Sequence, residues 1–196
     1  MKSGKKSEKK SKKTLKKKKL SSNITTIILI LIFLVGLSVM LYPTVSNYIN
    51  QRHQSKAIAA YDEKVSEMKP EDYTKYFEAA EKYNKKLAKN PSAFYNPDEI
   101  KGYEKILDIR GYITIKQLGV ELPIYHGTDE GILQIAAGHL KGTSFPVGGD
   151  STHSVISAHR GLPSAKLFTD LDKMEVGDTF TITILNREIT YEVDDI

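Results

Sequence analysis

Chemistry in this chain has to come from histidine, hydroxyl and carboxylate groups, because the 196 residues contain no cysteine. A thiol nucleophile and a disulfide framework are therefore both absent from the sequence. The stretch with the best placed reactive group is Thr152-His153-Ser154-Val155-Ile156-Ser157-Ala158-His159-Arg160-Gly161-Leu162-Pro163. Its alternation predicts a strand over 152–159, with Ser154, Ile156 and Ala158 on one face and His153, Val155, Ser157 and His159 on the other. Gly161 and Pro163 then turn the chain. A histidine where a strand opens into a loop can give or take a proton near neutral pH. His159 holds that position. By residue type alone a histidine there is more often a plain surface residue. His153 and His159 are six apart on a predicted strand and no HExxH spacing occurs, so neither a metal site nor a cofactor is expected.

The charge is divided along the chain. Residues 1–20 hold 11 of the 29 basic residues and one of the 24 acidic ones, leaving 18 against 23 in the remainder. A basic tail on a mildly acidic body does not describe a nucleic-acid-binding domain, so no nucleic-acid partner is expected. Ile24 to Tyr42 is an uncharged run of nearly the length a helix needs to cross a bilayer. The lysines before it predict a cytoplasmic N-terminus, with everything after Tyr42 outside. They also suit contact with anionic lipid headgroups. A cleaved signal peptide would have a shorter apolar core and an Ala-x-Ala-like site; Tyr42-Pro43-Thr44-Val45-Ser46 is a poor one, which favours an uncleaved anchor.

The elements that must position His159 follow. Ile58, Tyr61, Val65 and Met68 recur at helical spacing. Pro70 breaks the run and suits the first turn of a second helix, where Tyr73, Phe77, Ala80, Tyr83 and Leu87 continue the period to about Asn90. These stripes predict packing on the domain that follows; a plain spacer is the alternative. Residues 91–110 read as an ordered loop with two prolines and several aromatics. From Gly111 the period becomes two, with one strand through Ile113 and Ile115 and another over 120–125. Thr128 is a plausible cap for a short helix that buries Ile132, Leu133 and Ile135 or Ala136 and ends at Gly138. Ser164 can cap a second helix with Leu167, Phe168, Leu171 and Met174 on one face. Phe180, Ile182 and Ile184, a turn near Asn186-Arg187, and Ile189, Tyr191 and Val193 form a hairpin. Five short strands predict an antiparallel barrel or sandwich, too few to close a barrel, and from this a missing C-terminal part is expected.

Three segments carry a resemblance: 111–128 (GYITIKQLGVELPIYHGT), 138–149 (GHLKGTSFPVGG) and 153–168 (HSVISAHRGLPSAKLF). The chain resembles a sortase, most closely the class C, pilus-building sortases. The resemblance implies a mainly β fold: an incomplete sortase-type antiparallel β-barrel over 111–196, preceded by a basic cytoplasmic tail (1–20), one transmembrane signal-anchor (21–42), an extracellular helical segment (43–90) and a lid-like loop (91–110). It further implies a cysteine transpeptidase on the outer face of a Gram-positive cell membrane. Its partners would be LPxTG-like surface proteins or pilins, together with an amine acceptor, either a pilin lysine or a cell-wall precursor. In such enzymes a thiolate attacks the Thr–Gly bond and an amine resolves the thioester. The family's histidine matches His159, as acid for the leaving amine and base for the incoming one. His126, His139 and His153 read as structural, and Arg160 is not the family's catalytic arginine. The family's Thr-Leu-x-Thr-Cys strand and its arginine are expected beyond position 196, so the fragment is expected to be inactive. A non-catalytic membrane-anchored relic or sorting-signal binding module is the alternative. Pilus sortases often carry an Asp-Pro-aromatic lid; here the corresponding loop offers Phe94, Tyr95, Asn96, Pro97 and Asp98.

Overall fold

The computed structural model describes residues 4–90 and 109–196, with side chains from Asn23 onward. The lid positions Phe94 to Asp98 lie outside the described residues. The chain divides into two compact units, Met1–Pro43 and Thr44–Ile196. The apolar run lies in the first unit, on helix α1 (Gly4–Glu67), and its side chains from Ile24 to Tyr42 are exposed except Leu37. Its length and apolar composition are sufficient to cross a membrane. Pro43 lies inside α1, at the boundary of the units.

In the second unit the later part of α1 and helix α2 (Pro70–Lys89) bury their apolar stripes. Pro70 opens α2, where its missing N–H costs nothing and Glu71 and Asp72 complement the helix dipole. Ile58, Tyr61 and Val65 of α1, and Phe77, Ala80 and Tyr83 of α2, are buried, and all but Ile58 join the cluster that includes the sheet's isoleucines. The packing reading of these stripes therefore holds. Tyr61 ties the layers together: its hydroxyl accepts from the Leu185 N–H at 2.6 Å and donates to the Arg110 carbonyl at 3.4 Å.

The sheet has six strands in the order β4-β3-β2-β1-β5-β6. They are β1 (Ile109–Ile115), β2 (Val120–His126), β3 (Ala137–His139), β4 (Ile156–Ser157), β5 (Thr179–Ile184) and β6 (Arg187–Glu192). A 3-10 turn at Lys116–Leu118, closed by Gly119 at φ 61°, joins β1 to β2. The β5–β6 hairpin pairs Thr179 with Glu192 through Ile184 with Arg187 without interruption. Its turn falls at Leu185-Asn186, next to the predicted position.

Several expectations need correction. The sheet is mixed, because β2 and β3 run parallel. The helix after Thr128 is a single turn, α3 (Glu130–Leu133), with Asp129 and not Thr128 at its cap; Ile132 and Leu133 are only half-buried, and of Ile135 and Ala136 it is Ala136 that is buried. Gly138 does not end that helix; it lies inside β3, paired with Tyr125, where a side chain would strike the Gly127 carbonyl.

The strand expected over 152–159 contracts to Ile156–Ser157. Upstream, the chain is still held, partly by side chains replacing a ladder. Val155 N–H donates to Thr143 Oγ1 at 3.2 Å and His153 N–H to Ser144 Oγ at 3.1 Å. The Leu140 and Ser144 N–H groups donate to the Val155 and His153 carbonyls.

The helix expected after Ser164 is absent. Residues 162–175 form turns and a 3-10 segment, Leu171–Lys173, with Leu167 at φ 41°. Leu167, Phe168 and Met174 are buried as expected, but Leu171 is exposed. The reason is tertiary. The Ser164 carbonyl, which would accept the first bond of a helix capped by Ser164, is bonded instead to Asn50 of α1, and the Lys166 N–H donates to Asn47.

Candidate active site

His159 lies two residues beyond β4, and the chain leading to it is fixed from below. Ser144 and Thr143 hold residues 153–155 as described, and Asn84 of α2 in turn holds the corner. Asn84 Nδ2 donates to the Phe145 carbonyl at 2.9 Å, and the Phe145 N–H donates to Asn84 Oδ1 at 2.8 Å. Both groups are buried, so each bond satisfies a polar atom that water cannot reach. His139 completes the corner. Its Nε2 is 2.8 Å from the Ser144 carbonyl and 3.1 Å from Thr143 Oγ1, and its ring stacks on Phe145. Burial pushes the His139 imidazole below its ordinary pKa and the nearby Arg110 charge adds to this, against the bond to Ser144. His139 is thus a neutral core histidine.

Beyond β4 the chain folds back on His159. The Phe168 N–H donates to the His159 carbonyl at 3.2 Å, and the Gly161 N–H donates to Thr169 Oγ1 at 3.0 Å. The imidazole is one third exposed, and its Nε2 is 3.2 Å from Glu130 Oε1, at the start of α3. An ionised carboxylate only accepts, so Nε2 carries the hydrogen. Nδ1 makes no hydrogen bond among the described residues. The Glu130 carboxyl is held below the usual carboxylate range, first by the Gln134 amide and then by His159. A partly exposed imidazole, oriented through one nitrogen by a carboxylate and with the other nitrogen available, is able to shuttle protons.

The other predicted positions fall as follows. Arg160 points to Asp172, 2.7 Å away, with both side chains at least half exposed. His153 is separate from His159 and borders a cavity of about 710 Å³ on the inner face of the sheet, lined by Ile113, Ile115, Phe145, Ile182 and Tyr191 among others. His159 is not in that lining. His153, Glu192, Asp194 and Asp195 line the cavity alongside its apolar residues, whereas at His159 an imidazole and a carboxylate are in direct contact. Among the described residues no cluster of three or more His, Asp or Glu side chains has metal-binding geometry.

Sequence reasoning missed Glu130, which read only as a first-turn residue of a short helix. It also missed Asn47, Asn50 and Gln54 of α1. These bond to Lys166 N–H (2.8 Å), the Ser164 carbonyl (2.8 Å) and the Ile135 carbonyl (2.7 Å), respectively. The available signal was their spacing, which places them on the same helical stripe as Ile58, Tyr61 and Val65.

Comparison with known proteins agrees with this geometry. The family model for the sortase domain matches residues 113–196. Sortase C1 of Streptococcus agalactiae aligns over 71% of this chain and 76% of its own, with 45% identity and a TM-score of 0.65. Sortase C of Streptococcus pneumoniae has 42% identity over 71% and 74% of the two chains, with a TM-score of 0.65. Clostridium perfringens sortase C, solved with the C-terminal cell wall sorting motif, has 41% identity over 72% and 75%, again with a TM-score of 0.65. Sortase D of Bacillus subtilis is 31% identical over 83 residues, 42% of this chain, and the match spans 39% of that relative's length. The chain belongs to the sortase family, and its solved neighbours are class C sortases.

Proposed function

We propose that this chain provides the acid/base half of a sortase-type cysteine transpeptidase that acts on LPxTG-like sorting signals and transfers the acyl group to an amine. The observation that carries this reading is the His159–Glu130 pair at the open end of β4, inside the segment shared with sortases. In this reading His159 Nδ1 takes the proton of the nucleophilic thiol and gives it to the amine leaving the Thr–Gly bond; it then takes a proton from the incoming amine and returns it to the sulfur released from the thioester. The thiol nucleophile is not among the 196 residues, so these residues alone form no thioester. The sorting motif bound by the Clostridium perfringens neighbour supports the substrate class. A pilin lysine or a cell-wall precursor amine is the acceptor. The apolar run of α1 anchors the protein by a single pass. The lysine tail stays cytoplasmic against anionic headgroups, the second unit is outside, and residues 94–98 contribute to a lid.

The test is to express the chain together with whatever its genome encodes after codon 196 and to follow transfer of an LPxTG-type peptide to an amine. Transfer is expected, and His159→Ala should lower its rate by about 10²-fold or more, with the circular dichroism spectrum unchanged. Retained transfer in that variant would overturn the assignment. The missing cysteine also favours a second reading, a membrane-anchored module that binds sorting signals without cleaving them. Peptide binding by the 196-residue chain, with no transfer in the extended protein, would select that reading.

A further inference from the structure

The stripe of α1 that faces the second unit changes character along its length. Ile58, Tyr61 and Val65 are its apolar part, while Asn47, Asn50 and Gln54 are its polar part at the same helical spacing. Each of the three amides bonds to backbone of a loop next to the His159–Glu130 pair. Gln54 is 7% exposed, and its Nε2 donates to the Ile135 carbonyl, in the turn that follows Glu130 and α3. Asn50 Nδ2 donates to the Ser164 carbonyl, and Asn47 Oδ1 accepts from the Lys166 N–H, both in the loop after His159. That loop has no helix or sheet ladder of its own, apart from an isolated bridge between Leu162 and Ala165. The two loops come from opposite sides of the sequence gap 137–157, and α1 grips both.

We infer that Asn47, Asn50 and Gln54 are positioning residues. They set the separation of Glu130 and His159, making this part of α1 a component of the active site and more than a tether. The inference rests on the reading of His159 as the acid/base. It makes a directional demand, because the roles of the two asparagines differ. Asn47 is needed as an acceptor and Asn50 as a donor. Aspartate keeps the first role and destroys the second.

The experiment uses the full chain in detergent micelles or nanodiscs, with His159 ring resonances and backbone amide exchange read by NMR. Glu130→Ala supplies the reference for a His159 ring without its partner. Asn47→Ala should speed exchange of the Lys166 amide by about five- to tenfold, the factor expected from loss of one hydrogen bond, and Asn47→Asp should restore protection. Asn50→Asp and Gln54→Ala should move the His159 ring signals toward those of Glu130→Ala. The amides of the β5–β6 hairpin serve as the control for an intact fold. Unmoved His159 signals in Asn50→Asp and Gln54→Ala, with the hairpin unchanged, would overturn the inference. So would an Asn47→Asp variant as perturbed as Asn47→Ala. Neither readout needs turnover, so a correct clamp on a protein without transfer activity would count against the proposed function alone.

Discussion

The β5–β6 hairpin and the segment from Ile135 to Thr169 belong to the same sheet domain, yet they are held by different means. The hairpin is an unbroken antiparallel ladder from Thr179–Glu192 to Ile184–Arg187, its regularity set by period-two residues. The site segment has five residues of strand in all, in β3 and β4. It is held by side chains: Thr143, Ser144 and Asn84 on one side, and Asn47, Asn50 and Gln54 on the other. The ladder stabilises through apolar burial behind it, whereas the site depends on a few polar bonds, each with its own geometry. Stability should therefore be robust to polar changes in the hairpin and sensitive to them near the site.

The largest effect expected is in the hairpin core. Ile184 is fully buried, and Ile184→Ala should cost about 2–5 kcal/mol in a denaturant titration through lost contacts and a cavity. A cost under about 1 kcal/mol would mean that the ladder and not the burial behind it carries the stability. Next comes Asn84→Ala, which strands the buried N–H and carbonyl of Phe145 and should cost about 2–3 kcal/mol. If it proves nearly neutral, the polar corner does not hold the site, and the contrast between the two regions fails.

A smaller effect concerns pH. The His139 imidazole is depressed below its ordinary pKa of about 6.5, so the unfolded chain binds its proton at a higher pH than the folded one. Stability should be complete above that value and fall as pH drops below it, since there the unfolded state carries more protons. In thermal melts from pH 7.5 to pH 5, His139→Gln should have a lower but flatter profile than the parent. An equal slope would show that other groups govern the acid limb. The smallest effect expected is for Arg160→Ala, whose exposed pair with Asp172 should contribute no more than about 0.5 kcal/mol. A larger loss would give that ion pair a part in fixing the loop after His159.

How far the sequence could be read follows the same contrast. The hairpin, β1, β2 and the stripes of α1 and α2 were legible because each buries residues at a constant period. Near the site the periods were present but outvoted. Leu167, Phe168, Leu171 and Met174 have helical spacing, yet Asn50 occupies the Ser164 carbonyl that a helix from Ser164 would need. Thr152 to Ser157 alternate like a strand, yet Thr143 and Ser144 oxygens take the N–H bonds of Val155 and His153. Glu130 lies 29 residues from His159 and gave no local sign of their contact.

By itself the sequence determined the apolar run, the segregated charge, the period of the hairpin and the residue types around His159, because all of these are local properties of composition and spacing. Only the tertiary structure decided that β2 and β3 run parallel, that the segment after Ser164 is not a helix, and that Glu130 and the amides of α1 meet the loops around His159. Those outcomes depend on which distant group reaches a backbone donor or acceptor first, and no local pattern encodes that.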